Sequence, residues 1–294
     1  MLRTQALQLM SSIWNCIFLS TVIVRHKFNG RTEPIISATR TDTGQSPMTS
    51  RLLALLLLIA SPSALALEEQ AIEFDRPGIG FGSQVLPAGK MTWEQGLPSF
   101  SHDGESRSLS ADSLLRIGLG RGFEVQLGSV LWQRLSVRES GQKQRWQGAG
   151  DSHISLKYAS PNNSDAFGWG VMFTRQQPTG REPLASDAAT HELGLSITHA
   201  PAETQSLALF ASISRDRQEN GWLLSPSYSH AVNSRTWVYV EGGIGHGHQH
   251  MRAIGAGMTW MASPRVQLDA SILRGLDSRT EDWQGGLGIS IALN

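Results

Sequence analysis

From Met91 to the C-terminus the chain alternates apolar and polar residues in short segments separated by turn residues. Phe123, Val125 and Leu127 face one way, and Glu124, Gln126 and Gly128 the other. Ile154, Leu156 and Tyr158 oppose His153, Ser155 and Lys157, and Leu193, Leu195 and Ile197 oppose Glu192, Gly194 and Ser196. The last two segments repeat the pattern, with Val266, Leu268, Ala270 and Ile272 on one face, then Leu287, Ile289, Ile291 and Leu293. A side-chain period of two is the signature of a strand with one apolar face. About twelve such segments of roughly 10 residues can be counted, the length of tilted strands that cross a bilayer. The pattern predicts an all-β fold, an antiparallel transmembrane β-barrel of the outer-membrane type with about 12 strands.

A secretory signal lies well inside the chain. Met48-Thr49-Ser50-Arg51 is a short, positively charged n-region, Leu52 to Ala60 an apolar stretch, and Ala64-Leu65-Ala66 a small-x-small cleavage pattern. Cleavage is expected after Ala66. Residues 1–47 then read as an extension from a start codon placed too early, with Met48 the true start. The apolar run from Ile13 to Val24 is too short to span a bilayer and is interrupted by Asn15 and Ser20. The whole chain has 25 basic and 25 acidic residues, of which the first 66 positions hold six and two. That leaves 19 basic and 23 acidic residues, a net charge of −4, which is no footprint for nucleic acid. The only cysteine, Cys16, is lost with the leader, so disulfides and thiolate chemistry are excluded from the exported chain. The expected organisation is an extension over 1–47, a signal peptide over 48–66, a periplasmic or lumen segment over 67–89 and a barrel over 90–294.

The strands are expected near 90–100, 110–119, 122–133, 150–159, 166–176, 190–200, 204–215, 221–231, 235–246, 250–262, 265–274 and 282–293. Gly120-Arg121, Pro201-Ala202-Glu203, Val232-Asn233-Ser234 and Ser263-Pro264 read as tight turns. Polar loops over 101–109, 135–149 and 177–189, with shorter ones over 216–220, 247–249 and 275–281, alternate with them. Short turns on one side and longer loops on the other are the outer-membrane arrangement, and an even strand count puts both termini on the short-turn side. Phe123, Tyr158 and Trp260 fall near the short turns, and Phe100, Trp132, Trp222 and Trp283 near the loops, as two aromatic girdles. With the apolar faces outward, the lumen is expected to be lined by Glu94, Arg116, Glu124, Gln126, Asp151, Lys157, Glu192 and Asp269. Mixed signs there imply internal salt bridges, and the N-terminal stretch over 67–89 is expected inside or beneath the barrel.

No catalytic set emerges. His246, His248 and His250 alternate, and on one strand face three imidazoles could hold a transition metal, but the flanking glycines point to a loose loop instead. His153 and Ser155 stand two apart on one strand, the spacing at which an imidazole could take a serine proton. Their apolar neighbours Ile154 and Leu156 turn the pair into the lumen as lining. His191-Glu192 lacks the second histidine spacing of a zinc protease. No cofactor is implied.

Several patterns, in order along the exported chain, resemble the outer-membrane "transporter" family named for the meta pathway of phenol degradation. They are Glu73-Phe74-Asp75-Arg76-Pro77, Leu86-Pro87-Ala88-Gly89 before Glu94-Gln95-Gly96, and Leu114-Leu115-Arg116-Ile117-Gly118-Leu119 leading into Phe123-Glu124-Val125-Gln126-Leu127-Gly128. Gly148-Ala149-Gly150-Asp151, Lys157-Tyr158, Pro178-Thr179-Gly180, Gln267-Leu268-Asp269 and Asp282-Trp283 with Gly286-Leu287-Gly288 complete the set. The resemblance implies a roughly 12-stranded barrel, exported to the bacterial outer membrane, that carries small compounds, often aromatic, and is not an enzyme. Outer-membrane lipid, lipopolysaccharide and the barrel-assembly machinery are its expected partners. The chain departs from the usual barrel ending, an aromatic residue, and closes instead on Ile291-Ala292-Leu293-Asn294. A non-conducting structural or surface-binding barrel, with loops 135–149 and 177–189 as its contact surface, is the alternative, and a lipid hydrolase using Ser155 the third.

Overall fold

The computed structural model describes residues 72–139, 141–164 and 166–293. The expected extension, signal peptide and cleavage site lie outside the described residues. Thirteen antiparallel strands follow one another in the described chain. They are β1 (Met91–Asp103), β2 (Ser106–Gly120), β3 (Phe123–Glu139), β4 (Gln142–Gly148), β5 (Ser152–Ala159), β6 (Phe167–Gln177) and β7 (Thr190–Ala202). Then come β8 (Gln205–Arg215), β9 (Asn220–Asn233), β10 (Thr236–His246), β11 (Met251–Ser263), β12 (Val266–Gly275) and β13 (Trp283–Ala292). A 3-10 turn, Gly247–Gln249, joins β10 to β11.

Twelve of these strands close into a ring, because β13 pairs back onto β1 with Thr92 opposite Ala292. Closure leaves the ring itself no unpaired edge, which is what a sheet immersed in hydrocarbon requires. β4 stands outside the ring. The lower half of β3 pairs with β5, with Glu124 opposite Lys157, and its upper half pairs with β4, with Arg138 opposite Lys143. Pairing with β2 shifts register between Ala111 and Asp112, whose partners are Trp132 and Val130. That irregularity marks the level at which β3 changes partner.

The side chains are arranged inside out relative to a water-soluble domain. Arg116, Lys157, Gln126, Glu94 and Glu124 are the largest fully buried side chains, while Ile213, Leu119, Leu287, Ile154 and Phe173 stand exposed on the outer wall. Each strand sends its alternate residues to the two sides, so one polar and one apolar set is all the architecture needs. At one end the connections are tight. Between β2 and β3 the chain turns through Gly120, Arg121 and Gly122 at φ 85°, 55° and 82°, left-handed geometry that glycine accepts on either side of Arg121. Both barrel termini lie at this end, since β1 begins where β13 finishes.

The strand pattern corresponds to the alternation in the sequence, with two corrections. The loop expected over 135–149 is mostly strand, because β3 continues to Glu139 and β4 returns to Gly148. One face carries only Leu135, Val137 and Trp146 among polar residues and the other is wholly polar, so the apolar stripe is too short to announce two strands. The loop expected over 101–109 contracts to a turn around Gly104, with β1 reaching Asp103 and β2 starting at Ser106. Its serine-rich flanks hide a ladder that runs above the apolar band.

Candidate functional site in the barrel lumen

The lumen narrows around the segment over 72–89, which runs inside the barrel at the short-turn end. Arg116 on β2 is the hub. Its guanidinium donates to both carboxylate oxygens of Glu124 at 2.8 and 3.0 Å, to Glu94 at 3.1 Å and to the Glu73 carbonyl at 2.8 Å. The two-pronged bond to Glu124 is the geometry a planar guanidinium favours. Asp75 enters this array from the segment. Lys157 Nζ donates to it at 3.0 Å, Gln126 Nε2 at 2.7 Å and the Gly82 N–H at 3.0 Å.

The wall also grips the segment's backbone. Glu94 accepts the N–H groups of Asp75 and Arg76 at 3.1 and 2.9 Å, Glu124 that of Leu86 at 2.8 Å and Glu241 that of Ile79 at 2.7 Å. Gln267 donates to the Arg76 carbonyl at 2.9 Å, and Arg76 reaches across to Asp269 at 3.1 Å. A segment without regular secondary structure thereby gains partners for groups that would be costly to bury alone. On the far side Asn163, in the β5–β6 turn, donates to the Ser83 carbonyl at 3.0 Å.

Small residues on the inner wall make room for it. A Cβ on Gly194 would come within 2.7 Å of the Phe81 ring, and one on Gly170 within 3.1 Å of the Ser83 carbonyl. Phe81 meets Phe210 edge-on, 5.4 Å between centroids, and Lys157 Nζ lies 5.1 Å from the Phe81 centroid. The lumen therefore holds a fitted insert at this end, pinned by charge on one flank and by an aromatic pair on the other.

The loop end differs. A polar cavity of about 380 Å³ opens among Gln176, Ser186, Thr190, Glu192, Asp216 and His248. Glu192 accepts from Gln249 Nε2 at 2.8 Å and from the Ser212 hydroxyl.

Six of the eight expected lining residues, Glu94, Arg116, Glu124, Gln126, Lys157 and Asp269, are gathered around the segment. Glu192 faces the cavity at the other end. Asp151 lies beside that cavity, bonded to Gln176 Nε2 at 3.2 Å. It precedes β5 and folds the loop over 178–189, accepting the N–H groups of Gly180 and Ser186 at 3.0 and 2.9 Å. Desolvation pushes its carboxyl up, but bonds from Ser186, Gly180 and Gln176 outweigh this and hold it below the usual range. The alternation of the three histidines is broken by the 3-10 turn. His248 lies 4.0 Å from Asp216 and His250 2.9 Å from Asp277, while His246 stands exposed at the end of β10. Ser155 shares a 2.8 Å hydrogen bond with Thr174, and the His153 ring lies instead over Gly128.

Glu241, Gln267 and Asn163 were not among the expected lining. The first two alternate with Val240 and Leu268, so the same period of two contains them. Asn163 sits in a turn, where no periodicity reaches it.

No curated protein sequence matches the chain. Among solved structures, the COG4313 outer membrane channel from Pseudomonas putida F1 superimposes with a TM-score of 0.60 at 13% identity, over 74% of this chain and 99% of that one. The KdgM porin superimposes with a TM-score of 0.50 at 11% identity, over 70% and 99%. At such identities the likeness is one of fold, a closed outer-membrane-type barrel. The sequence itself goes further: over residues 74–293, from the Phe74-Asp75-Arg76-Pro77 run of the insert to the last strand, the chain belongs to the family described as "Putative MetA-pathway of phenol degradation".

Proposed function

We propose that this protein is an outer-membrane channel for small molecules, with aromatic compounds of the phenol type as the favoured cargo. The observation that carries the reading is the closed ring whose apolar side chains are exposed and whose charged side chains are buried. In water that outer wall would be a continuous apolar patch, which soluble monomers do not expose. In a bilayer it is the lipid-facing surface, and the enclosed polar interior is a passage. The family description supports the aromatic cargo, and the channel and porin neighbours support the barrel reading. The short turns then face the periplasm and the β3–β4 hairpin the outside. The Ser155–Thr174 bond, with the His153 ring turned over Gly128, counts against the lipid-hydrolase alternative.

The insert over 72–89 favours a second reading, a barrel sealed at its short-turn end that serves structure or surface binding. Planar-bilayer conductance and liposome swelling with phenol separate the two. A channel passes ions or phenol as the full chain and passes more after deletion of residues 73–88. A full chain that passes neither overturns the proposal.

A further inference from the structure

The β2–β3–β4 ribbon carries an arrangement that neither strand pairing nor passage through the lumen requires. In the ladder Leu109 faces Arg134, Arg107 faces Ser136, Ser136 faces Arg145 and Arg138 faces Lys143. Residues two apart share a face, so Arg107, Arg134, Arg138, Lys143 and Arg145 all project from one side of the ribbon. That side is the outer one. On β2 it continues downward through Ala111 and Leu115 to the exposed Leu119, while the other set leads through Asp112 to buried Arg116. Arg107, Arg138, Lys143 and Arg145 are exposed, and none of the five forms an ion pair among the described residues.

Height matters as much as face. Trp132 lies on the same side below the cations, with the Arg134 guanidinium 5.3 Å from its ring centroid. Such rings mark the border between hydrocarbon and headgroups. Along a strand tilted as in barrels, Arg134 stands about 5 Å and Arg138 about 15 Å above that ring. The cations therefore stand at and above the headgroup layer, and their long side chains can reach down into it.

The arrangement carries a cost if nothing binds. Arg138 and Lys143 are directly opposed like charges, which destabilises a ladder, and Arg145 projects beside them. Glu139 and Glu105 are close in sequence, but neither pairs with them. Charge on β4 also discourages a free edge from pairing with another chain. Edge protection, however, does not call for a single sign on a single face across three strands. A bound polyanion offsets the repulsion, and guanidinium groups suit phosphate oxygens.

We infer that the outer face of the β2–β3–β4 ribbon binds the phosphate groups of outer-leaflet lipopolysaccharide, with Arg138, Lys143 and Arg145 as the principal contacts. The placement rests on the channel reading above, which puts the hairpin outside. The test uses the full exported chain in neutral detergent and three lipids: bis-phosphorylated lipid A, the same lipid stripped of phosphate, and phosphatidylglycerol. Binding is read by native mass spectrometry. The combined variant Arg138→Ser, Lys143→Ser, Arg145→Ser should bind phosphorylated lipid A about tenfold or more weakly, the loss expected for three exposed charge contacts. A control with equal charge loss at the same end, Arg181→Ser, Arg217→Ser, Arg279→Ser, should bind as the wild type does.

Equal binding by the wild type and the first variant would overturn the inference. So would equal affinity for phosphate-free lipid A, or for phosphatidylglycerol. Conductance is measured on the same preparations. Lipid binding lost with conductance intact supports the inference, whereas a non-conducting barrel that still discriminates the lipids removes the channel reading alone.

Discussion

The two ends of the lumen contain the same kinds of residue and use them differently. At the short-turn end Glu94, Glu124, Arg116 and Lys157 are almost wholly removed from solvent, and each contacts at least one opposite charge or backbone N–H. At the loop end Glu192, Asp216, His248 and Asp277 stay partly open to water, and their contacts are local: Glu192 with Gln249, Asp216 with His248 at 4.0 Å, and Asp277 with His250 and with Arg279 and Thr280 of its own loop. Burial decides the outcome. Charges taken out of water must be matched closely, and losing one partner leaves the rest stranded, whereas solvated charges are screened and nearly independent. The inserted segment supplies half of the matching. The wall and the insert over 72–89 are thus one electrostatic unit, while the loop end is a set of separate local clusters.

The sharpest way to break this contrast is to remove the hub. Arg116→Ala leaves Glu94, Glu124 and Asp75 facing one another without their shared cation. The expected loss is about 3–5 kcal/mol, the usual result of breaking a buried ion pair from one side. Urea unfolding in detergent, followed by the heat-dependent shift of the barrel on a gel, measures it. A loss under about 1 kcal/mol would mean that water screens the array after all, and the distinction between the ends would fail.

A smaller effect separates the insert from the charges. Gly194→Val changes no charge but places methyl groups where the Phe81 ring lies, 2.7 Å from the position of a new Cβ. Overpacking of this kind costs about 1–3 kcal/mol. The insert can avoid it by moving away, so residues 72–89 should become sensitive to protease while the barrel stays closed. An insert that remains protected would show that the ionic side alone fixes it. At the loop end the comparison demands a null: Glu192→Gln keeps an acceptor for Gln249 and should shift stability by no more than about 0.5 kcal/mol.

What the sequence reveals follows the same division. Strands that carry an apolar face are legible, because lipid contact and burial impose a strict period of two from Phe123 to Leu127 and from Val266 to Ile272. Glu124, Lys157 and Asp269 were readable as lining for that reason. β4 was not, since Gln142–Gly148 has no apolar face. Nor were the contacts of the insert. Asp75 meets Lys157 across 82 residues and Arg76 meets Asp269 across 193, and the segment that brings them together has no period of its own. Gly170 and Gly194 are conspicuous in the sequence, but their role is visible only once Ser83 and Phe81 are seen against them.

The smallest expected effect lies in the loop between β12 and β13. Partial desolvation pushes the Asp277 carboxyl up, but bonds from Thr280, from His250 and from the Arg279 N–H more than compensate and hold it at about 2. Its ordinary value is 3.8, so the folded loop favours the ionised form. The loop's contribution is fully present above pH 3.8 and fades as pH falls toward 2. Protection from hydrogen exchange at the amides of Arg279 and Thr280, relative to the intrinsic rate, should therefore fall across that window, while the insert's backbone N–H groups on Glu94 and Glu124 stay protected there. Simultaneous opening of both would make the two ends one cooperative unit. Asp277→Asn offers the converse check, because it should make the loop's protection, relative to the intrinsic exchange rate, independent of pH and leave the short-turn end unchanged.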